Sequence, residues 1–221
     1  MTAPGTDRRS PYERALGDRI SELHPKTAWY FRTIPEGHVG VGTGVFTTAG
    51  SRHRWLWPVF RIAESLGVAF AGWEHDVPFR IENRTVAGEA LAVRHFDLPG
   101  RTWVMPDIVS LGANRILRNE IGPHRTVVTT FDIDVRDGAV VLTIRRVGMR
   151  FGRLRIAAPS FLRPRIGLVE RWDEQRERHH VNMTIDAPLL GRVYEYTGFF
   201  EYAIESLSLI HISEPTRQEA I

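Results

Sequence analysis

The chain contains no cysteine in 221 residues, which excludes a disulfide framework, a thiolate-ligated zinc or iron–sulfur centre and a cysteine nucleophile. Lysine is nearly absent as well. Lys26 stands alone against 28 arginines, a bias that GC-rich codon usage produces without any bearing on mechanism. Charge of one sign does not dominate, because 29 Lys+Arg against 26 Asp+Glu leaves a formal +3, and the basic residues are scattered; nucleic acid is therefore not an expected partner. No apolar run approaches the roughly 20 residues of a membrane-spanning helix. Arg8-Arg9 near the start has no apolar stretch behind it, as a secretory signal would require, so a cytoplasmic location is the default expectation. Missing too are H-E-x-x-H, G-x-S-x-G, a P-loop and an EF-hand. No metal and no cofactor are expected, and no motif decides whether the protein is an enzyme.

What is present suffices for a packed core: 43% of residues are hydrophobic and 10% aromatic. Residues 1–9 read as a disordered leader and 10–206 as a single domain. Leu207 to Arg217 read L-S-L-I-H-I-S-E-P-T-R, the translation of a transposase-type sequencing adapter, and Gln218–Ile221 continue it. Residues 207–221 are thus expected to be a non-native tail.

Within the domain, Ser10-Pro11-Tyr12-Glu13 predicts a capped helix start. Tyr12, Ala15, Leu16, Ile20 and Leu23 keep helical spacing up to His24, before Pro25. Gly40-Val41-Gly42-Thr43-Gly44-Val45-Phe46 predicts a strand under close backbone approach. Its G-x-G-x-G spacing lacks the third glycine and the βαβ unit of a dinucleotide site. A second helix is predicted from about Arg54 to Leu66, ending at Gly67. From Trp73 onward the period is two. Strands are predicted from Trp73, and at Ala90–Asp97, Thr102–Ile108, Thr126–Val135, Ala139–Val147, Arg165–Asp173, Val181–Asp186 and Arg192–Tyr202, with Arg136-Asp137-Gly138 as a hairpin turn. The expected fold is α+β but mostly β: a strongly curved antiparallel sheet, half-barrel or barrel-like, with two or three covering helices.

Strand parity suggests where chemistry could gather. It places His75 with Trp73, Val77 and Phe79, Glu170 with Ile166, Leu168 and Trp172, and Arg146 with Val140, Leu142 and Ile144. Inward charges are costly unless paired. The plainer account of these three is a structural ion pair and a hydrogen-bonded core histidine. The sharper one is a pocket in which Glu170 and Arg146 fix a polar group while His75 donates or acts as a base. Tyr194, Tyr196, Phe200 and Tyr202 share a strand face and could wall such a pocket. Trp73, His75, Arg146, Glu170, Trp172, Tyr194 and Tyr196 form the candidate binding set. Of the pair His179-His180, the first is expected to face solvent and the second to be half-buried. The segment Arg52–Phe60 is expected to be a helix packed over the sheet, with a lid or an interfacial membrane contact as the less favoured readings. Arg145, Arg146, Arg150, Arg153 and Arg155 form the densest basic stretch, suited to an anionic group or to a solvated hairpin face.

Five segments carry a family resemblance. They are Ser10-Pro11-Tyr12-Glu13-Arg14-Ala15-Leu16-Gly17, Trp55-Leu56-Trp57-Pro58, Trp73-Glu74-His75-Asp76-Val77-Pro78-Phe79, Arg146-Val147-Gly148-Met149-Arg150-Phe151-Gly152-Arg153-Leu154 and Asp186-Ala187-Pro188-Leu189-Leu190-Gly191-Arg192-Val193-Tyr194-Glu195-Tyr196. Together they resemble a bacterial domain-of-unknown-function family, number four-one-six-six, over nearly all of residues 10–204. The resemblance implies that members occur alone or fused behind a saccharopine-dehydrogenase-like domain, and it implies no catalytic residues. The first expectation is binding of a small hydrophobic or lipid-like ligand in a sheet-lined cavity. Two alternatives are an enzyme using His75 with Glu170 or Asp76 in that cavity, and an accessory module for a saccharopine-dehydrogenase-like partner.

Overall fold

Alternation of apolar and polar residues, interrupted at tight turns and bulges, carries the chain through the strands β1 (His38–Gly50), β2 (Trp73–Val86), β3 (Glu89–Leu98), β4 (Arg101–Leu111), β5 (Leu117–Ile121), β6 (Val127–Arg136), β7 (Ala139–Phe151), β8 (Leu154–Ala157), β9 (Arg165–Asp173), β10 (Arg178–Ala187) and β11 (Gly191–Ser206). The computed structural model describes residues 7–151, 154–157 and 163–207. The expected tail beyond Leu207 and the first six residues of the expected leader lie outside them. The strand order is β6-β5-β4-β3-β2-β1-β11-β10-β9-β7-β8, and β6 also pairs with β7, so ten strands close into an antiparallel barrel while β8 extends β7 as a hairpin. The predicted curved sheet is therefore a closed one. Closure removes the sheet edges that would otherwise invite pairing with other chains.

Turn chemistry sets the register. Asp137 and Gly138 both have positive φ, 50° and 73°, the geometry of a two-residue hairpin whose twist suits the strands it joins, and Arg136 pairs with Ala139 across it. The first predicted helix is shorter than expected. Helix α1 spans Pro11–Leu16 and stops at Gly17, whose φ of 58° leaves helical geometry; a 3₁₀ stretch covers Gly17–Glu22, and Pro25 opens a further helix, α2 (Pro25–Phe31). Pro25 bars helical geometry at His24, yet at the first position of α2 it starts a helix. The predicted capping box is also replaced by a longer-range bond: Thr33 Oγ1 donates to the Glu13 carboxylate at 2.6 Å and accepts from Ser10 N at 2.8 Å. The second predicted helix is present as a 3₁₀ turn, Arg54–Leu56, leading into α3 (Trp57–Ser65).

Helices cover both ends of the barrel. At one end, Leu16, Leu23, Ala28 and Phe31 pack on Val135 and Val140 of the β6–β7 hairpin. At the other, Phe60 and Ala63 of α3 pack on the main core, and Phe70 of the following segment meets Phe96, Trp103 and Tyr194 in tilted and edge-on contacts. The inner face of β1 is glycine for a specific reason. A Cβ on Gly40 would lie 1.7 Å from the Tyr202 hydroxyl, and one on Gly44 would lie 2.1 Å from the Phe199 carbonyl. The aromatic side chains of β11 lean across β1 into that space, which is the close approach the sequence pattern predicts.

Candidate ligand cavity

The barrel interior is filled unevenly. On the β1–β2–β3–β11 side the rings of Phe46, Phe79, Phe96 and Tyr196 stack on one another, with Phe46 to Phe79 centroids 4.0 Å apart. On the opposite side the inward residues around the middle of the wall are mostly aliphatic, Val127, Ile144, Ile166, Leu168 and Ile185 among them, and a ten-stranded wall is wider than the roughly eight strands whose side chains can fill a barrel. A cavity of about 200 Å³ remains there. Ile121, Val147, Ile166, Ile185 and Tyr194 line it near the α3 end, under Val68, and Tyr12, Arg94 and Asp107 line it near the α1 end.

Arg94 and Asp107 face one another from β3 and β4 and form a direct ion pair, with the Asp107 side chain only 3% exposed. Burial works to lower the pKa of Arg94, but the attraction of Asp107 prevails and holds it above the ordinary guanidinium value. A smaller cavity of about 70 Å³, more polar than the first, lies beyond this pair and shares Tyr12, Arg94 and Asp107 with it; Glu170 and Tyr30 line it too. Burial raises the Tyr12 pKa, and pushes Tyr196 up to about 12, so both phenols stay protonated as donors. Asn119 lines the larger cavity, and its Oδ1 is buried with no hydrogen-bond partner among the described residues. Among those residues no cluster of three or more His, Asp or Glu side chains could hold a metal.

The candidate residues divide into two groups. Glu170, Trp172, Tyr194 and Tyr196 point inward as predicted: Tyr194 and Tyr196 wall the larger cavity, Glu170 lines the smaller one, and Trp172 closes the α2 end against His24, ring centroids 5.8 Å apart. Trp73, His75 and Arg146 do not join them. His75 is exposed, because Asp76 adopts φ of 50° and breaks the alternation before Val77 turns inward. His75 and Trp73 instead pack on each other, 5.7 Å between centroids, and the Arg52 guanidinium lies 4.6 Å from the Trp73 ring. Arg146 is exposed because the register shifts between Thr130 and Phe131, where Arg145 is an extra residue on β7. A catalytic pair of His75 with Glu170 therefore does not form, and Asp76 is likewise exposed outside the cavity. Of the basic stretch, Arg145 pairs with Asp132 and Arg150 lies 3.5 Å from Glu120. Arg153 lies outside the described residues.

The histidine that meets Glu170 is His179, whose Nδ1 lies 3.6 Å from Glu170 Oε1. It is buried rather than solvent-facing, enclosed by Tyr30, Trp172, Phe200 and Tyr202. Parity could have found it: Val181, Met183 and Ile185 share its face, and Val181 pairs with Glu170. His180, half-buried, points the other way and bonds Thr197 Oγ1 at 3.1 Å. Arg94 and Asp107 were also missed, although each falls on the apolar face of its strand, Arg94 with Ala92 and Phe96, Asp107 with Trp103 and Met105.

The family model described as Domain of unknown function (DUF4166) matches residues 23–200. The chain belongs to that family. The match takes in β1 through most of β11 and hence most of the lining of both cavities, whereas Tyr12, which lines both, lies in the Ser10–Gly17 segment that precedes it. No curated protein and no solved structure matches the chain.

Proposed function

We propose that this member of the DUF4166 family binds a small, predominantly apolar molecule inside the barrel, with a neutral polar head at the Arg94–Asp107 end. The observation that carries the reading is the 200 Å³ largely apolar cavity inside the barrel. Left empty, a space of that size costs its lining the dispersion contacts that close packing would supply. An occupant would offset that cost. The cavity is below the roughly 300–1,000 Å³ of drug-sized sites, which favours a slender molecule such as a short lipid or polyketide-like chain.

The head group follows from charge. An unpaired arginine in an apolar barrel would select a carboxylate or phosphate. Here Asp107 already neutralises Arg94, so a second anion would lie beside a buried carboxylate. The donors and acceptors left over, Tyr12 and Asn119 Oδ1, suit a hydroxyl, ester or ketone.

Native mass spectrometry of the purified chain, followed by solvent extraction, tests this directly. A copurified neutral molecule of defined mass is expected. In a complementary titration the neutral dye Nile red should bind, and Met183→Trp, which places a ring in the cavity, should weaken binding at least tenfold while His75→Ala leaves it unchanged. A clean unliganded mass together with no dye binding would overturn the reading.

A further inference from the structure

Helix α3 and the 3₁₀ turn leading into it have an outer face that nothing among the described residues covers. Trp55, Val59 and Ile62 are 62%, 59% and 65% exposed, and spacings of four and three residues align them on one stripe while Phe60 and Ala63 turn toward the core. At the same end of the barrel, the β10–β11 turn presents Leu189, fully exposed at φ of 66°, and Leu190. The two segments are tied together: His53 Nε2 lies 3.0 Å from the Arg192 carbonyl, and Arg52 lies 3.2 Å from Glu195. Of the nine exposed large apolar side chains on the described surface, five are therefore gathered at the end under which the cavity lies. A grouped apolar patch of this kind marks an interaction surface, whereas single exposed side chains do not.

The charge beside the patch is positive. Arg54 and Arg61 flank the stripe and make no ion pair among the described residues, whereas the neighbouring carboxylates of Glu64, Asp186 and Glu195 are each held by an arginine, Arg101, Arg192 and Arg52 respectively. No helix among the described residues is long and apolar enough to cross a membrane. A short helix with Trp and aliphatics on one face and arginines beside them is instead suited to lying in a headgroup layer. Two copies packed face to face would set Arg54 and Arg61 of one against those of the other, which argues against self-association.

We propose that the α3 end docks on an anionic lipid bilayer, with Trp55, Val59, Ile62 and the Leu189-Leu190 turn among the acyl chains and Arg54 and Arg61 on headgroup phosphates. Val68, two residues beyond the helix cap, lines the cavity, so docking would turn that end of the barrel toward the membrane. The surface is distinct from the cavity walls, and docking does not require an occupied barrel.

Co-sedimentation with sucrose-loaded vesicles tests this with the full chain. Binding is expected to vesicles of equimolar phosphatidylcholine and phosphatidylglycerol and not to phosphatidylcholine alone, and it should weaken as salt rises. The double variants Val59→Glu with Ile62→Glu, and Leu189→Ser with Leu190→Ser, should each release the protein. Arg54→Gln and Arg61→Gln should weaken binding about fivefold per residue. All these side chains are exposed, and near-ultraviolet circular dichroism checks that the barrel stays intact. Equal binding to both vesicles, or none to either, overturns the proposal. So does a dimer in sedimentation velocity that Val59→Glu dissolves, since the face would then be occupied by a second copy.

Discussion

Asp107 illustrates how one carboxylate can set the selectivity of an apolar cavity. Its side chain is almost fully buried and its partner Arg94 faces both cavities. Replacing it with asparagine leaves an uncompensated guanidinium in the interior, a change that costs about 3 kcal/mol or more. Urea denaturation of Asp107→Asn should show that loss, and the freed arginine should confer binding of oleate that the natural chain lacks. Glu170 makes a second prediction. Burial raises its pKa above the ordinary 4.5, with His179 and Arg94 pulling the other way. The folded chain thus holds this proton more tightly than the unfolded one, and the associated stability is fully present below about pH 4.5 and lost as pH rises through the folded value. Relative to the natural chain, Glu170→Gln should gain stability over that rise. A difference in urea midpoint that stays flat with pH would sink the assignment.

At the scale of the element, backbone detail decides which side chains reach the interior. Two residues off the regular strand path, Asp76 at positive φ and the additional Arg145, move His75 and Arg146 to the outside. Parity counted from the sequence is valid only between such irregularities. Glu170 lies in a stretch where alternation is unbroken, and the irregularity of β11 at Val193 falls before Tyr194 and Tyr196, so for these three the count holds. Strand β5, five residues with the polar sequence Arg118-Asn119-Glu120 at its centre, carries too little alternation to be read, yet it supplies Leu117, Asn119 and Ile121 to the interior. The glycines differ in the same local way. Gly44→Ala would drive a Cβ into the β11 backbone and should cost about 1–3 kcal/mol, whereas Gly167→Ala on β9 meets nothing nearer than 3.8 Å and should be close to neutral. Thermal unfolding of the two variants side by side measures the contrast.

For the whole molecule, the decisive quantity is the mismatch between a ten-stranded wall and the volume of the side chains inside it. Aromatic stacking fills the β1–β2–β3–β11 half, and the aliphatic half keeps its cavity. A bound molecule at a hundred times its dissociation constant stabilises the fold by about 2.7 kcal/mol. Protein stripped by solvent extraction and refolded should therefore melt several degrees below the purified form, and Met183→Trp should melt at nearly the same temperature before and after stripping. An unchanged melting temperature for the natural chain would count against an occupied cavity.

Length, alternation and turn chemistry by themselves determined that this is a mostly antiparallel β domain with a few covering helices, because period-two patterning and residues such as Asp137-Gly138 act over a few positions. They also determined that Tyr194, Tyr196 and Glu170 face inward and that β1 must admit another element against its backbone. Only the tertiary structure decided that the sheet closes through β6 and β7, that Glu170 meets His179 rather than His75, and that Arg94 finds Asp107 on the neighbouring strand. Those outcomes depend on bulges, on register and on how much space a closed wall encloses. Each is a sum over residues distant in the chain, and no local pattern contains it.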